Sequence, residues 1–481
     1  MIELANTKTC TGCSACMNAC SKSAIVMAED SEGFLQPRID VDKCVECGLC
    51  QRVCPVLHPI QNEGSKRKVY AFINYTDRKV SSSGGAFSFF ARKILDEGGV
   101  VFGATMDDNL QVYHIGVESI DELHRLRGSK YVQSKIGSSY KEVRFLLQSG
   151  RRVLFVGTPC QIAGLYKFLG RRYEELLLTL DLICHGVPNQ KVFNTYLDKL
   201  SKLENFSSAN AGNIVSFRFR NLDSWAIVPA VKVTKSKTWR ILSQETNVYM
   251  TAFFRGIIYR ESCFRCQYAN TERIGTFTIA DFWGVGTMGK RFKKDVSAGV
   301  SMIIDNYSQI DRYLVSDGNV YVEERTLEEA RQKNENLNHP VQRLEERNTA
   351  VLDLLAPEML LREYAKKYGM LDAFPKHLVK MVFKNVIYGL GLYNMYKTEE
   401  RYADRQRNNQ RKTGACTDGR RDRSCIPPYL PGARRGADRD GNGFDQGAVL
   451  SGQEKPGPFE AGPQRKARRC PDLRQRYPLH G

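Results

Sequence analysis

Apolar positions in the middle of the chain form two kinds of run. Short runs rich in Val, Ile, Phe and Tyr predict strands, and longer runs with apolar residues three or four positions apart predict helices. The predicted strands are 69–75, 100–106, 152–157 and 177–184, and the predicted helices are 86–98, 138–150 and 160–170. Because the two kinds of run alternate, we expect an α/β layer fold with a mostly parallel sheet.

Outside this alternating region the pattern changes. Residues 214–258 carry runs closer to antiparallel strands than to strand–helix–strand units, and residues 340–398 have helical spacing. A cysteine-dense segment precedes the alternating region. We therefore expect an α+β chain of four parts: a small cysteine-rich domain at 1–62, an α/β core at 66–345, a helical extension at 346–398 and a tail at 399–481.

Composition changes abruptly near residue 400. Residues 401–481 contain 15 Arg but 3 Lys, and they hold 8 of the 17 Pro. This stretch has no apolar periodicity, so we expect it to be disordered. The change also motivates the hypothesis that the tail is an out-of-frame translation of a neighbouring coding segment. Half of the net charge of +18 falls in the tail, so the charge indicates a moderately basic protein and no nucleic-acid partner.

The chain carries no pattern for export or membrane crossing. Its first residues are polar, and no run reaches about 18 uncharged apolar residues. We therefore expect a cytoplasmic protein whose 15 cysteines serve metal or redox sites, because a reducing cytosol opens disulfides. Residues 376–397 combine bulky apolar side chains with four lysines. This pattern fits either a helix that packs in the core or a peripheral contact with a membrane or a partner.

Two cysteine runs near the N-terminus share one spacing. Each run has cysteines at its first, fourth, seventh and eleventh positions, and Pro55 follows the second run. This spacing is typical of two 4Fe-4S clusters, in which the fourth cysteine of each run reaches the other cluster. Zinc sites instead favour paired cysteines with a longer spacer. We expect one cluster on Cys10, Cys13, Cys16 and Cys54 and the other on Cys44, Cys47, Cys50 and Cys20, in a βαββαβ fold that resembles a bacterial two-cluster ferredoxin.

Four further cysteines lie in the core, at positions Cys160, Cys184, Cys263 and Cys266. Cys160 and Cys184 follow predicted strands, and α/β folds gather functional groups at the ends of their strands. Converging there, the four thiolates would suit a third 4Fe-4S cluster. Free cysteine is also a common small apolar residue in protein cores, so spacing alone leaves both interpretations open.

Two loops have the composition of an anion site. Ser83, Gly84 and Gly85 follow a predicted strand and open a predicted helix, where backbone N–H groups can bind a phosphate. An ordinary helix cap is the alternative. Lys130 and Tyr131 occupy a second loop, where they would either contact an anionic cofactor or face solvent.

The motifs together resemble one family. GTPCQIAGL, DLICHGVP, the CFRC pair before IADFWG, SSGGAFS and GSKYVQS follow the ferredoxin-like segment, as in the coenzyme F420 hydrogenase/dehydrogenase beta-subunit family. The resemblance covers roughly residues 1–350. It implies an oxidoreductase core in which Cys160, Cys184, Cys263 and Cys266 hold a third cluster, and Ser83, Gly84, Gly85, Lys130 and Tyr131 contact FAD.

The same resemblance implies partners for the chain. Ferredoxin or another redox protein would exchange single electrons with the clusters, and FAD would exchange a hydride with a small two-electron substrate. That substrate would be the deazaflavin coenzyme or another compound, one connected with polysaccharide biosynthesis being an alternative. A non-enzymatic electron-transfer or adaptor subunit of a larger redox complex is the competing interpretation. No acid or base residue stands out from the sequence.

Overall fold

Thirteen strands and ten helices occur in the residues that this computed structural model describes, namely 2–371 without 61–66, 171–172, 174, 204–212, 221–224, 235, 237, 244 and 315–317. The predicted tail at 399–481 and the lysine-bearing segment at 376–397 lie outside these residues. Among the described helices, none has both the length and the apolar content needed to cross a membrane.

The N-terminal segment folds as two short helices around a hairpin. Its elements are α1 (Ala15–Ala19), β1 (Ile25–Glu29), β2 (Leu35–Ile39) and α2 (Leu49–Arg52), and the two strands pair antiparallel. Each helix begins after a residue with left-handed backbone, Ser14 with φ 63° and Gly48 with φ 69°, so the two cysteine runs curl alike. Residues 2–6 and 55–60 are assigned to no strand, so this segment forms the αββα centre of the predicted βαββαβ pattern.

The remaining strands form two sheets. They are β3 (Lys68–Asn74), β4 (Val100–Met106), β5 (Val112–Val117), β6 (Val153–Gly157), β7 (Leu177–Leu182), β8 (Ile214–Arg218), β9 (Ala230–Val233), β10 (Arg240–Ile241), β11 (Phe277–Asp281), β12 (Ser301–Asp305) and β13 (Val320–Arg325). The large sheet has the order β13-β3-β12-β11-β7-β6-β4-β5, and β10-β9-β8 form a small antiparallel sheet.

The large sheet is mixed, which corrects the prediction of a mostly parallel one. Only the neighbours β4, β6, β7 and β11 pair parallel, and the other pairings are antiparallel. The link from β4 to β5 spans residues 107–111, which is too short for the crossover that a parallel pair needs. β3 is antiparallel to β12, itself antiparallel to β11, so the carboxyl ends of β3, β4, β6, β7 and β11 meet at one edge.

Helices cover both faces of the large sheet. The remaining helices are α3 (Ala86–Asp96), α4 (Ser139–Gln148), α5 (Pro159–Leu169), α6 (Gln190–Ser201), α7 (Val248–Phe254), α8 (Leu327–Arg331), α9 (Arg347–Leu355) and α10 (Leu361–Lys367). Alternate residues of a strand point to opposite faces. Accordingly Leu154 packs in the core layer that contains Phe90 of α3, whereas Phe155 packs in the layer that contains Ile162 of α5.

A third core layer joins the small sheet to helices. Phe217 and Val231 of this sheet pack with Phe193 of α6, Tyr249 of α7 and Leu354 of α9. Residues 248–254 form a helix, so the prediction of strands through to residue 258 is wrong there. The reason lies in the spacing of the buried side chains: Tyr249 and Phe253 are four residues apart, which places them on one helical face.

Candidate cofactor sites

Each of two small cavities in the N-terminal segment is bordered by four cysteines. The inner N-terminal cavity, of about 20 Å³, is bordered by Cys10, Cys13, Cys16 and Cys54. The outer N-terminal cavity, also of about 20 Å³, is bordered by Cys20, Cys44, Cys47 and Cys50. Helix α1 carries Cys16 toward one cavity and ends at Cys20, which borders the other. The structure thus brings together the same two sets of side chains that the spacing predicts, and their role as ligands stays a prediction.

The thiols of the inner N-terminal cavity are desolvated. Burial, reinforced by the neighbouring thiols of Cys10 and Cys54, raises the pKa of Cys16 to about 12. Burial also raises the pKa of Cys13 well above its ordinary value. Buried thiolates need a compensating positive charge, which iron would supply if these four cysteines held it.

A third cavity, of about 150 Å³, gathers the four core cysteines. This core cysteine cavity is bordered by Cys160, Cys184, Cys263 and Cys266. Cys160 is the second residue of α5, which begins two residues after β6, and Cys184 follows β7. Cys263 lies on a short 3-10 turn before β11, and Cys266 directly follows that turn. Burial raises the pKa of Cys160 to about 11 and that of Cys263 to about 12. The donor set and its desolvation fit a cluster as well as the N-terminal sets do.

In each set the cysteine side chains surround a cavity and do not converge on the position of a single metal ion. Within residues 2–371, apart from the gaps given above, no three His, Cys, Asp or Glu side chains are placed to hold one metal ion. A 4Fe-4S cluster is a group of several atoms held by four thiolates around it. Four cysteines around a cavity are the arrangement that such a group requires.

The main cavity, of about 300 Å³, lies where the parallel strands end. Residues at or after the carboxyl ends of β3, β6, β7 and β11 border it: Ser81–Ser83, Gly157–Thr158, Ile183–Val187 and Asp281 with Trp283. Ligands of α/β proteins bind at this edge because loops from several strands converge there. The volume lies at the lower end of the usual range for small-molecule sites, about 300–1,000 Å³.

Shared wall residues join three of the four cavities. Thr11 and Val56 border both the inner N-terminal cavity and the core cysteine cavity. Residues 184–187 border both the core cysteine cavity and the main cavity. The two N-terminal cavities have no bordering residue in common, but helix α1 contains Cys16 of the inner cavity and is followed by Cys20 of the outer cavity. The order is therefore outer N-terminal, inner N-terminal, core cysteine and main cavity.

Four of the five predicted flavin contacts border the main cavity. Ser83, Gly85, Lys130 and Tyr131 do so. Gly84 is not among the bordering residues, and its backbone packs against the sheet instead. A Cβ atom on Gly84 would lie 2.2 Å from the Phe72 carbonyl oxygen and 2.4 Å from the Ser301 nitrogen, so only glycine fits between these two strands.

Lys130 is a half-buried residue rather than a lysine in a solvated loop. Its Nζ donates to the carbonyl oxygens of Arg125, Leu126 and Arg127, at 3.3, 3.0 and 2.8 Å. Burial lowers the pKa of Lys130 to about 7. The side chain is thus held at the cavity wall with a charge that changes near neutral pH.

Tyr131 belongs to an aromatic and charged group at the wall of the main cavity. Its ring lies 4.7 Å from that of Phe253, and burial raises its pKa while Arg220 opposes the shift. Arg220 forms an ion pair of 2.6 Å with Asp281. Trp283 borders the cavity beside this pair.

Two family profiles match the chain. A 4Fe-4S dicluster domain matches residues 9–57, and the C-terminal domain of the coenzyme F420 hydrogenase/dehydrogenase beta subunit matches residues 150–321. The resemblance predicted from the motifs is confirmed over these two stretches. The dicluster domain contains all eight N-terminal cysteines, and the beta-subunit domain contains all four core cysteines.

Relatives match part of the chain. One subunit of the F(420)H(2) dehydrogenase of Methanosarcina mazei is 23% identical over 46% of this chain and 65% of that protein. "Coenzyme F420-dependent sulfite reductase" of Methanocaldococcus jannaschii is 26% identical over 44% of this chain and 34% of that protein. The matched part thus spans less than two thirds of either relative. A chain of the F420-reducing [NiFe] hydrogenase complex from Methanosarcina barkeri superposes with a TM-score of 0.39 at 15% identity, covering 61% of this chain and 93% of that chain.

Several residues that border the main cavity were not predicted from the sequence. Asp281 and Trp283 lie within a motif of the beta-subunit domain, but no local pattern gave their side chains a role. Arg220 carries no signal that separates it from other arginines. His114 precedes the beta-subunit domain and lies between the Val156 oxygen and the Ser134 hydroxyl; burial lowers its pKa to about 4, so it is neutral at physiological pH.

Proposed function

We propose that this chain is an iron–sulfur flavoprotein oxidoreductase. Single electrons from a redox protein pass through three 4Fe-4S clusters to FAD, which exchanges a hydride with a small substrate. The observation that carries this proposal is the series of four cavities, three bordered by four cysteines each and the last by four of the five predicted flavin contacts. The 4Fe-4S dicluster domain at residues 9–57 supports the first two clusters.

The cofactors supply the redox chemistry: the clusters carry one electron at a time and a flavin holds two. The chain supplies position and surroundings. Thiolates would hold the clusters at the spacing set by α1, α2 and the loops after β6 and β7. At the main cavity, Lys130 and the backbone at the start of α3 would bind the anionic part of FAD. The Arg220–Asp281 pair would orient Tyr131.

The relatives support a substrate class. Both curated relatives carry coenzyme F420 in their names, so the deazaflavin coenzyme is the first substrate to test. One of them is a subunit, and we propose that this chain also works with other redox proteins. Thiolate ligands and reduced flavin are compatible with the cytoplasm, where we place the protein.

The test is the cofactor content of protein purified without oxygen. We expect flavin bands over broad iron–sulfur absorption and about twelve irons per chain, four for each cluster. Cys184→Ser should lower the iron content to about eight. Cys416→Ser, at a tail cysteine to which we assign no role, is the control and should leave the iron content unchanged.

Other results would contradict the proposal in distinct ways. Zinc in place of iron would exclude the clusters. Iron without flavin would favour the electron-transfer subunit over the enzyme. An unchanged iron content in Cys184→Ser would exclude the third cluster alone.

A further inference from the structure

Arg260 is a buried cation that lies between two of the cysteine cavities. Its side chain is 1% exposed. It borders the core cysteine cavity, and its Nε donates to the backbone oxygen of Cys10 at 2.7 Å. Cys10 in turn borders the inner N-terminal cavity. One guanidinium group is therefore close to both proposed clusters.

Among the described residues, the hydrogen-bond partners of Arg260 are neutral. Nη2 donates to the Leu35 oxygen at 2.8 Å and Nη1 to the side-chain oxygen of Gln133 at 3.2 Å. In the described parts of the chain, no carboxylate forms an ion pair with it. A buried charge is normally paired, because desolvation without a counter-charge is costly.

A neighbouring arginine shows the contrast. Arg273 is also buried, and it lies near Cys266, but it forms an ion pair of 2.9 Å with Asp181. The charge of Arg273 is therefore compensated within the protein. The charge of Arg260 is left to act on whatever occupies the two cavities.

The sequence around the N-terminal cysteines makes room for this guanidinium. Gly12 has φ +67°, and a Cβ atom there would lie 2.9 Å from Arg260 Nη1. The ring of Phe34 packs against the guanidinium, with 5.6 Å from its centroid to Cζ. The arginine is thus fixed in place from the dicluster side, not only from its own loop.

Cys160 and Cys263 border the same cavity as Arg260. A cation beside a cluster favours its reduced form over its oxidised form, because reduction adds one negative charge.

We propose that Arg260 raises the reduction potentials of the clusters in the inner N-terminal and core cysteine cavities. The inference rests on the proposed function, since it needs both clusters. Reduction of each cluster takes up one electron and neither forms nor breaks a bond to Arg260. The charge of the arginine makes reduction of each cluster more favourable. It acts on both clusters at once, and these two clusters must exchange electrons.

The test is an anaerobic redox titration of the full chain, followed by electron paramagnetic resonance. Arg260→Gln should make reduction of the two adjacent clusters at least tenfold less favourable, a shift of about 59 mV toward more negative potential. The cluster of the outer N-terminal cavity should not shift. Arg260→Lys retains the charge and should restore the potentials of the adjacent clusters to within half of that shift.

Arg347→Gln is the matched control. Arg347 is 1% exposed and also lies 5.6 Å from the Phe34 ring, but it pairs with Glu32 and borders none of the cysteine cavities. It should lower thermal stability and leave all potentials unchanged. Two results would overturn the inference. One is that Arg260→Gln binds its clusters and leaves their potentials unchanged. The other is that Arg260→Lys shifts the potentials as far as Arg260→Gln does.

A second variant tests the inference if Arg260→Gln does not bind iron. Gln133→Glu places a carboxylate against Nη1 and should shift the same two potentials in the same negative direction; unchanged potentials would overturn the inference. Wild-type protein without a third cluster would instead contradict the proposed function, so the two failures are distinguishable.

Discussion

At the scale of residues, Lys130 shows how a backbone environment prepares a side chain for an anion. Three carbonyl oxygens hold its ammonium group, and burial lowers its pKa to about 7. A phosphate favours the charged form and raises that pKa again. Flavin binding should therefore take up a proton near neutral pH.

Binding of FAD to the flavin-free protein should weaken as pH rises. Below the pKa of about 7 Lys130 is already charged, and above it protonation must accompany binding. We expect affinity at least fivefold weaker at about pH 8.5 than at about pH 6. Calorimetry in buffers with different ionisation enthalpies measures both the affinity and the proton uptake. Lys130→Met should bind more weakly and lose this dependence; if its pH profile matches wild type, Lys130 is not the group that titrates.

The cysteine spacing predicted the two N-terminal sets because ligand geometry is encoded within short stretches of chain. Arg260 could not be found in this way. It is distant from Cys10 in the sequence, and only the folded chain brings its guanidinium to that carbonyl. Lys130 was predicted as a contact, but its carbonyl partners depend on the local turn and were not.

At the scale of elements, the turn before α3 fixes one end of the main cavity. Gly84 lies against the backbone of β3 and β12, and its carbonyl accepts the Asn74 N–H at 2.7 Å. This contact positions Ser83 and Gly85 at the cavity wall. Packing of the turn and the shape of the cavity are therefore coupled.

Gly84→Ala should destabilise the protein and weaken flavin binding. A Cβ atom 2.2 Å from a backbone oxygen forces the turn to move, at a cost of about 1–3 kcal/mol. Thermal unfolding with and without FAD measures the change. Gly318→Ala is the control, because a Cβ atom there has open space. Equal melting temperatures for the two variants would show that the turn adapts freely.

Four of the eight strands of the large sheet, β3, β4, β6 and β7, could be predicted from their apolar runs. Their pairing could not. The antiparallel pairing at the edges of the sheet depends on short links, such as 107–111, that reverse the direction of the chain. The position of β3 between β12 and β13 depends on residues that are distant in the sequence. The apolar run of helix α7 predicts a strand, because its bulky side chains suit either structure. Only the folded protein shows that the buried side chains lie on one helical face.

At the scale of the whole molecule, the outer N-terminal cavity is the exposed end of the three cysteine cavities. Cys47 at the outer N-terminal cavity is exposed, as are Val41 and Val45 nearby, at 67% and 60%. Cys13 at the inner cavity is buried. A protein donor should therefore reach the outer cluster first.

Cys47→Ser should slow flavin reduction by reduced ferredoxin at least tenfold, which is about 1.4 kcal/mol in the barrier. Dithionite is small enough to enter the main cavity, so flavin reduction by dithionite should stay within twofold. Stopped-flow absorbance follows both reactions. An unchanged rate with ferredoxin would mean that donors deliver electrons at another point.

The ion pair between Arg347 and Glu32, of 2.6 Å, has a wider consequence. With the bond from Asn189 to the Glu32 backbone oxygen, it ties the hairpin of the dicluster domain to the core. The proposed N-terminal clusters would therefore keep a fixed distance from the core. The rate at which a donor protein reaches the chain should depend on solvent viscosity. The rate of electron transfer within the protein should not depend on viscosity, because the distance is fixed.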